Sequence, residues 1–363
     1  MSAFLAAFSP NQDIFTMTEQ WKQFLSANGA QFTGQETVYF TSSAAQPDAS
    51  HGFVTPLTQL GVILADGLEA ADFLHKQLSN DVNHLEPGMA RLAGYCTPKG
   101  RLLATLLLWR EGEQIALQLS RPLLPAILKR LRMFILRSKV SLNDGDDQTV
   151  TLGLGGMNAA SALTPWFATL PASRWSSVSN ASGTLIRVAD AFGTARYQWR
   201  VSPELAQQAW PQLCTSLAAV GSDVWGLAEI AAGMPLVTTA TQEKFVPQMI
   251  NFELIGGVNF KKGCYPGQEI VARSQYLGKL KRRMHLASIR TNDEVKPGDD
   301  VFSLDDPEQA CGMVVNAERG PDGAWACLIE MKIAMLESDV RLGAISGPPC
   351  YFGTLPYALI DQE

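Results

Sequence analysis

The chain is poor in the side chains that metal and redox chemistry draw on. It holds four histidines, His51, His75, His84 and His285, and none stands at metal-ligand spacing, so no metal site is expected and each reads as a surface or helix-end residue. The six cysteines, Cys96, Cys214, Cys264, Cys311, Cys327 and Cys350, include no Cys-x-x-Cys pair. A metal cluster held by neighbouring cysteines is therefore not encoded. Thiols this sparse and dispersed suit a reducing compartment, and Cys96, Cys311 and Cys327 fall in apolar strand-like runs expected in a core. A Walker loop, a dinucleotide fingerprint and a zincin helix are all missing. Gly153-Leu154-Gly155-Gly156 follows a strand but lacks phosphate-loop spacing, and reads as a turn before a helix.

Long apolar runs are missing too. None approaches the ~20 residues of a membrane span. The segment Met1 to Phe8 is briefly apolar without a basic n-region, so no signal peptide is expected and the cytoplasm is the expected location. Positive charge is not in excess: 29 Lys and Arg face 35 Asp and Glu, a net charge of −6. That argues against an extensive nucleic-acid footprint. Lys279, Lys281, Arg282 and Arg283 form a short basic run, read as a solvated face.

What remains is ordinary globular material, 363 residues that are 46% hydrophobic and 18% charged, enough for two or three domains with cores. Residues 1–16 show no period and read as an appended, dispensable segment. Thr16 to Glu19 offers a capping box for a helix over 17–28, with Trp21, Phe24 and Leu25 on one face. Thr37 to Ser50 reads as strand edge and loop. Strands are expected at 62–65, 92–97, 102–109, 114–119, 139–142 and 149–154. Helices are expected at 70–78, with Asp66 as cap, and from Ser120 to Ile135. The order strand–helix–strand–strand–strand–helix–strand suggests a split βαβ arrangement, α+β in class. Further on, helices are expected near 158–169, 204–219 and 223–232, and strands at 184–189 and 195–201. Short strands at 283–290, 311–317 and 324–332, separated by Pro/Gly turns, fit a small all-β barrel.

The densest chemistry lies in Lys261-Lys262-Gly263-Cys264-Tyr265-Pro266-Gly267-Gln268-Glu269-Ile270-Val271-Ala272-Arg273. Two glycines bracket Cys264-Tyr265-Pro266, which predicts a tight bend allowing close backbone approach. A short helix is expected from Gln268, with Glu269 and Arg273 paired across one turn. A polar surface turn followed by a salt-bridged helix is the plain reading. A thiol beside Lys261 and Lys262 is the reactive one, because positive charge and access both favour the thiolate.

The run from Lys262 to Glu269, with Arg273 beyond it, resembles the motif of the YgfZ family, folate-binding relatives of the T-protein (aminomethyltransferase) of the glycine cleavage system. The resemblance extends from about Trp21 to the C-terminus. It implies a T-protein-like three-domain cloverleaf: a folate-binding region of two interleaved α+β subdomains over 17–278 and a small C-terminal β-barrel over 279–363. It implies a protein that binds tetrahydrofolate or a one-carbon derivative and assists synthesis or repair of iron–sulfur enzymes, including those that methylthiolate tRNA. Those enzymes or their assembly machinery are the implied partners. Cys264 is then the candidate functional thiol, with Lys262, Gly263, Tyr265, Gly267, Gln268, Glu269 and Arg273 as motif or folate residues. Asn80-Asp81-Val82 matches a run shared across the superfamily. It reads equally as a contact at the central opening or as a helix-end turn.

Departures from the T-protein pattern point away from aminomethyl transfer. Leu103 and Ala104 stand where its catalytic Asp-Asp pair would be. Near Ala195-Arg196-Tyr197-Gln198 its Tyr-Thr-Gly-Glu run is gone, and Glu229 replaces a basic residue. A one-carbon transferase using another acid is the alternative, and a thiol-dependent repair factor is the third reading.

Overall fold

A computed structural model of the chain describes residues 17–34, 37–40, 51–146, 148–276 and 280–359. The expectations for residues 1–16, for the Thr16 cap, for the 41–50 loop and for Lys279 lie outside the described residues.

Helix α1 (Met17–Ala27) packs beside a hairpin of β1 (Ala30–Thr33) and β2 (Thr37–Phe40). Its residues Trp21 and Leu25, one turn apart, are buried. After β3 (Phe53–Pro56) comes the expected alternation: β4 (Leu60–Asp66), α2 (Ala70–Gln77), β5 (Ala90–Cys96), β6 (Leu102–Glu111), β7 (Gln114–Ser120), α3 (Leu124–Met133) and β8 (Ser141–Asp144). These strands form one antiparallel sheet in the order β5-β6-β7-β4-β8. Asp66 ends β4 and does not cap α2. The chain turns at Gly67, whose φ is +116° and whose added Cβ would lie 2.2 Å from the Lys139 carbonyl oxygen, so only glycine fits. The helix starts at Ala70, and the Glu69 carboxylate accepts from the Lys139 amide.

The second sheet draws on β9 (Val150–Gly155), β10 (Ser177–Asn180), β11 (Gly183–Arg187), β12 (Arg196–Val201) and β13 (Ala218–Ala219). Its order is β10-β11-β12-β9-β3-β13, with β13 parallel to β3. Because β3 precedes the first sheet in the chain, the two sheets interleave in sequence. Helices α4 (Ala159–Leu163), α5 (Pro203–Leu213) and α6 (Ser222–Ala231) accompany this sheet. Ser202 caps α5 by accepting from the Leu205 amide at 3.3 Å, with Pro203 in the first turn. Residues 234–260 are irregular apart from a 3₁₀ turn at Pro247–Ile250, as their lack of period suggested.

Helix α7 (Gln268–Tyr276) leads into β14 (Arg282–Ile289), β15 (Asp300–Ser303), β16 (Asp306–Arg319), β17 (Trp325–Lys332), β18 (Val340–Leu342) and β19 (Cys350–Gly353). They form an antiparallel sheet in the order β18-β15-β16-β17-β14-β19. A bridge between Arg341 and Pro349 draws its two edges together, so the sheet curls around Val301, Cys311, Val314, Cys327 and Ile329.

The three expected core thiols, Cys96, Cys311 and Cys327, are buried, and Cys350 is buried as well; all four are free. The basic run differs from its expectation. Arg283 is buried against Glu253, and Arg282 pairs with the buried Glu330, so both cations serve internal pairs. His285 is likewise buried, and burial with the Arg283 charge lowers its pKa.

Two further arginines sit inside. On β12, Arg196 pairs with Glu229 at 2.8 Å and lies over the Trp225 ring at 4.6 Å. Arg200 reaches Glu111 at 2.8 Å and the Gly145 carbonyl at 3.0 Å. Asp146, held 2.7 Å from Arg121 and 4.0 Å from Arg200, completes this group between the two sheets. Removing one partner of such a buried set strands the others. Arg200→Met is expected to cost about 3–5 kcal/mol of stability, read by urea denaturation. A loss below about 1 kcal/mol would mean that the network is solvated rather than buried.

Candidate central cavity and thiol loop

The thiol loop is docked by main chain. Gly267, at φ +83°, would bring an added Cβ to 2.4 Å from the Thr97 carbonyl oxygen and 2.6 Å from the Gly100 amide nitrogen. Gly100, at φ +72°, makes the turn between β5 and β6. The two glycines therefore let two backbones touch without an intervening side chain. Gly263 differs. Its only neighbour within 4 Å of an added Cβ is His75 Nε2, at 3.6 Å.

Lys262 turns inward. Its ammonium donates to the carbonyls of His75 and Leu78, the latter at 2.8 Å, and so caps the C-terminal end of α2. It also lies 4.9 Å from the centre of the Tyr265 ring. Burial lowers its pKa to about 8, against the pull of Asp81 and Cys264, which leaves the amine protonated at neutral pH. Tyr265 is buried, which raises its phenol pKa. Cys264 is exposed. Of the other thiols, Cys214 at the end of α5 is also exposed as a residue, yet local burial pushes it up to about 11.

Asp81 stands between two imidazoles, with His75 Nδ1 at 3.0 Å and His84 Nδ1 at 2.7 Å. Burial raises its pKa, but the hydrogen bonds and charge of His84, with His75, outweigh that and hold it below the usual carboxylate range. His75 is lowered by burial and by the Lys262 charge. Asn80 is a buried staple: its Nδ2 donates to the carbonyls of Leu92 and Gly256, both at 2.7 Å, and its Oδ1 accepts from the Asp81 amide at 2.8 Å. Gln268 Nε2 is 3.4 Å from the Lys262 carbonyl. Glu269 and Arg273 are exposed and do not pair with each other, unlike the sequence expectation. Lys262, Asp81 and His75 thus come together beside Cys264, whereas Glu269 and Arg273 face outward.

A separate cavity of about 340 Å³ lies where the two interleaved sheets, α6 and β16 meet. None of Lys261 to Arg273, nor Asn80 or Asp81, lines it. Its wall carries Leu92, Leu107, Trp175, Trp225, Ile230 and Phe252. Among the described residues, three glutamines carry amide atoms with no hydrogen-bond partner: Gln59 Oε1, Gln118 Nε2 and Gln198 Oε1. Buried amides left open in this way cost stability unless something else meets them. Trp175 is held at φ +67°, rare for an aromatic residue, by backbone bonds from its amide to Arg187 (2.8 Å) and from Ala90 to its carbonyl (2.7 Å). Sequence reasoning missed this cavity. Its only local signal is a glutamine or threonine, such as Gln118 or Thr105, interrupting an apolar strand.

The solved structures place this architecture in a known class. The glycine cleavage system aminomethyltransferase T from Bartonella henselae superposes with a TM-score of 0.71, covering 85% of this chain and 86% of that one, at 17% sequence identity. The chain therefore has the T-protein fold, with its C-terminal sheet curled as a half-barrel. A scan of protein-family profiles finds no match. A tRNA-modifying protein YgfZ from Photorhabdus laumondii subsp. laumondii is 30% identical over 310 residues, 85% of this chain and 93% of that relative. Proteins of the same name from Pectobacterium carotovorum and Yersinia pestis are 28% and 29% identical, each over 90% of this chain and 99% of their own length. The chain belongs to the YgfZ family.

The two motif glycines have different duties, and substitution separates them. Gly267→Ala meets both a left-handed φ and a backbone clash, and is expected to cost about 2 kcal/mol or more. Gly263→Ala is expected to stay within about 0.5 kcal/mol. Thermal and denaturant unfolding of the pair checks this; equal effects would mean that the loop is not docked through Gly267.

Proposed function

We propose that the central cavity binds tetrahydrofolate or a one-carbon derivative, and that the protein assists the synthesis or repair of iron–sulfur enzymes, including those that methylthiolate tRNA. The observation that carries this reading is the cavity itself, apolar and aromatic with three unpartnered amides. A flat, polar-edged ring fits such a wall: Trp175, Trp225 and Leu107 would cover its faces, and Gln59, Gln118 and Gln198 would meet its edge. The T-protein fold, which binds folate in general, and the relatives named as tRNA-modifying proteins support the same reading. Bound there, the folate supplies a carrier of one-carbon units.

Cys264, exposed beside a protonated Lys262, is the thiol we assign to the client-facing side. A single cysteine cannot hold a cluster alone, so any cluster contact is shared with a partner. Leu103 and Ala104 are buried in β6 and carry no acid, so no aminomethyl transfer is expected.

Titration with tetrahydrofolate and its formyl derivatives tests the cavity, and assay with an aminomethyl-lipoyl carrier tests the chemistry. The expected result is binding without turnover. Turnover of roughly 1 per second or more would favour the one-carbon transferase instead. For the thiol, Cys264→Ala and Cys264→Ser are expected to fold and bind folate normally while failing to restore iron–sulfur enzyme activity in a deletion strain. Full complementation by Cys264→Ala, with Cys264 alkylated no faster than Cys96, would rule out the thiol's role.

A further inference from the structure

One side chain in the cavity wall is neither paired nor accounted for by the fold. Glu318, on β16, faces Gly226 in the middle of α6. A Cβ added at Gly226 would come within 2.4 Å of Glu318 Oε1, 2.6 Å of Cγ and 2.8 Å of Cδ. Glycine inside a helix costs up to ~1 kcal/mol relative to alanine, and here the space it leaves is filled by a carboxyl group. Among the described residues Glu318 has no ion pair and no side-chain hydrogen bond.

The groups around it are acidic or neutral. Asp223 lies one turn earlier on α6, and its charge raises the pKa of Glu318. Tyr39 of β2 feels Asp223, Glu318 and Glu294 together, which with burial raises its phenol. Glu229, one turn after Gly226, is already paired with Arg196. Among the described residues no cation compensates Glu318, and burial followed by the Asp223 charge pushes it up to about 8. The same cavity wall holds Gln118 Nε2 and Gln198 Oε1, 5% and 6% exposed as residues and likewise without partners. The described residues contain no His/Cys/Asp/Glu group suited to a metal ion. The open capacity is mostly acceptor, Gln198 Oε1 and the Glu318 carboxylate against Gln118 Nε2, and suits a ligand that carries N–H donors.

We propose that Glu318, seated in the notch left by Gly226, reads the N–H-bearing edge of the ring bound in the central cavity, accepting two parallel hydrogen bonds from an amidine-like edge such as a reduced pterin presents. This role rests on the cavity being the folate site. Two carboxylate oxygens match two adjacent N–H donors in the way that carboxylates match guanidinium groups. Glu318 is half-buried and without a cation partner, so its charge is less well solvated than in open water and the ligand's donors would compensate it. Binding that needs the ionised carboxylate must release the proton that Glu318 holds below its raised pKa. Affinity is then expected to rise with pH up to about 8.

The test is anaerobic calorimetric titration of the full chain, its Glu318→Gln and Glu318→Ala variants and Gly226→Ala, using tetrahydrofolate and the free pterin ring as probes. Glu318→Gln is expected to bind both probes about ten- to hundredfold more weakly, with little change in Tm because no ion pair or hydrogen bond of the described residues is lost. Gly226→Ala keeps the carboxyl but displaces it, and should show the same loss. The wild-type affinity should rise by up to about tenfold per unit between pH 6 and pH 8, and that slope should vanish in Glu318→Gln. If wild type binds tetrahydrofolate and the folded Glu318 and Gly226 variants match it within about twofold, the role of Glu318 is overturned and the folate reading stands. If wild type binds the pterin ring in a Glu318-dependent way but not tetrahydrofolate, the folate reading falls and Glu318 keeps its role. If wild type binds neither probe, both fall.

Discussion

Two guanidinium groups on one strand organise the centre of the molecule. Arg196, Gln198 and Arg200 alternate along β12 and share a face, while Tyr197, Trp199 and Val201 fill the apolar core on the other. Both faces are buried, so the polar one must find partners inside. Arg196 takes Glu229 of α6, and Arg200 takes Glu111 at the β6–β7 turn together with the Gly145 carbonyl. Those contacts fix where α6 and the first sheet stand relative to the second. Gln198, between the two arginines, is left facing the space they frame. The cavity is in this sense what remains once two buried charges have been neutralised.

The same strand shows why the sequence reveals some levels and hides others. Arg196-Tyr197-Gln198-Trp199-Arg200-Val201 alternates polar and apolar, which reads correctly as a strand but does not say what covers its polar side. Periodicity reports which side chains share a face but not what covers it. The βαβββαβ order was legible because each element carries its own period and turn residues. Strands as short as Phe53–Pro56 and Ala218–Ala219, which exist only through their neighbours, were not. The thiol loop was legible as a local cluster of unlike groups, and its main-chain bend was foreseen. Its electrostatics were not, because Lys262 spends its charge on α2 carbonyls and Glu269 and Arg273 stay apart. The glutamines, tryptophans and glutamates of the cavity come from six separated segments, at Gln59, Gln118, Trp175, Gln198, Trp225 with Glu229, and Glu318, and no spacing rule collects them.

Cavity and thiol loop lie on opposite sides of one layer of protein. Asn80 holds the Leu92 carbonyl from the loop side, while Leu92 lines the cavity. Phe252 lines the cavity as well, and the backbone of Gly257 packs directly on its ring, where an added Cβ would come within 2.3 Å. Ser79 ties this layer together by donating to the Gly257 carbonyl at 2.6 Å and accepting from the Gly94 amide at 2.7 Å. This hydrogen-bonded layer separates the Cys264 loop from the cavity.

The Gly267–Gly100 contact has a consequence for how the outer surface can vary. The joint is made of two backbones with one side chain, Ile270, packed against Gly100 at 3.1 Å from an added Cβ, so it asks little side-chain complementarity beyond that residue. Lys99, Glu269 and Arg273 flank it without taking part in it, so their charge and shape are independent of where Cys264 sits. The position of Cys264 and the charge of the rim around it are thereby separable: the rim can change without moving the sulfur.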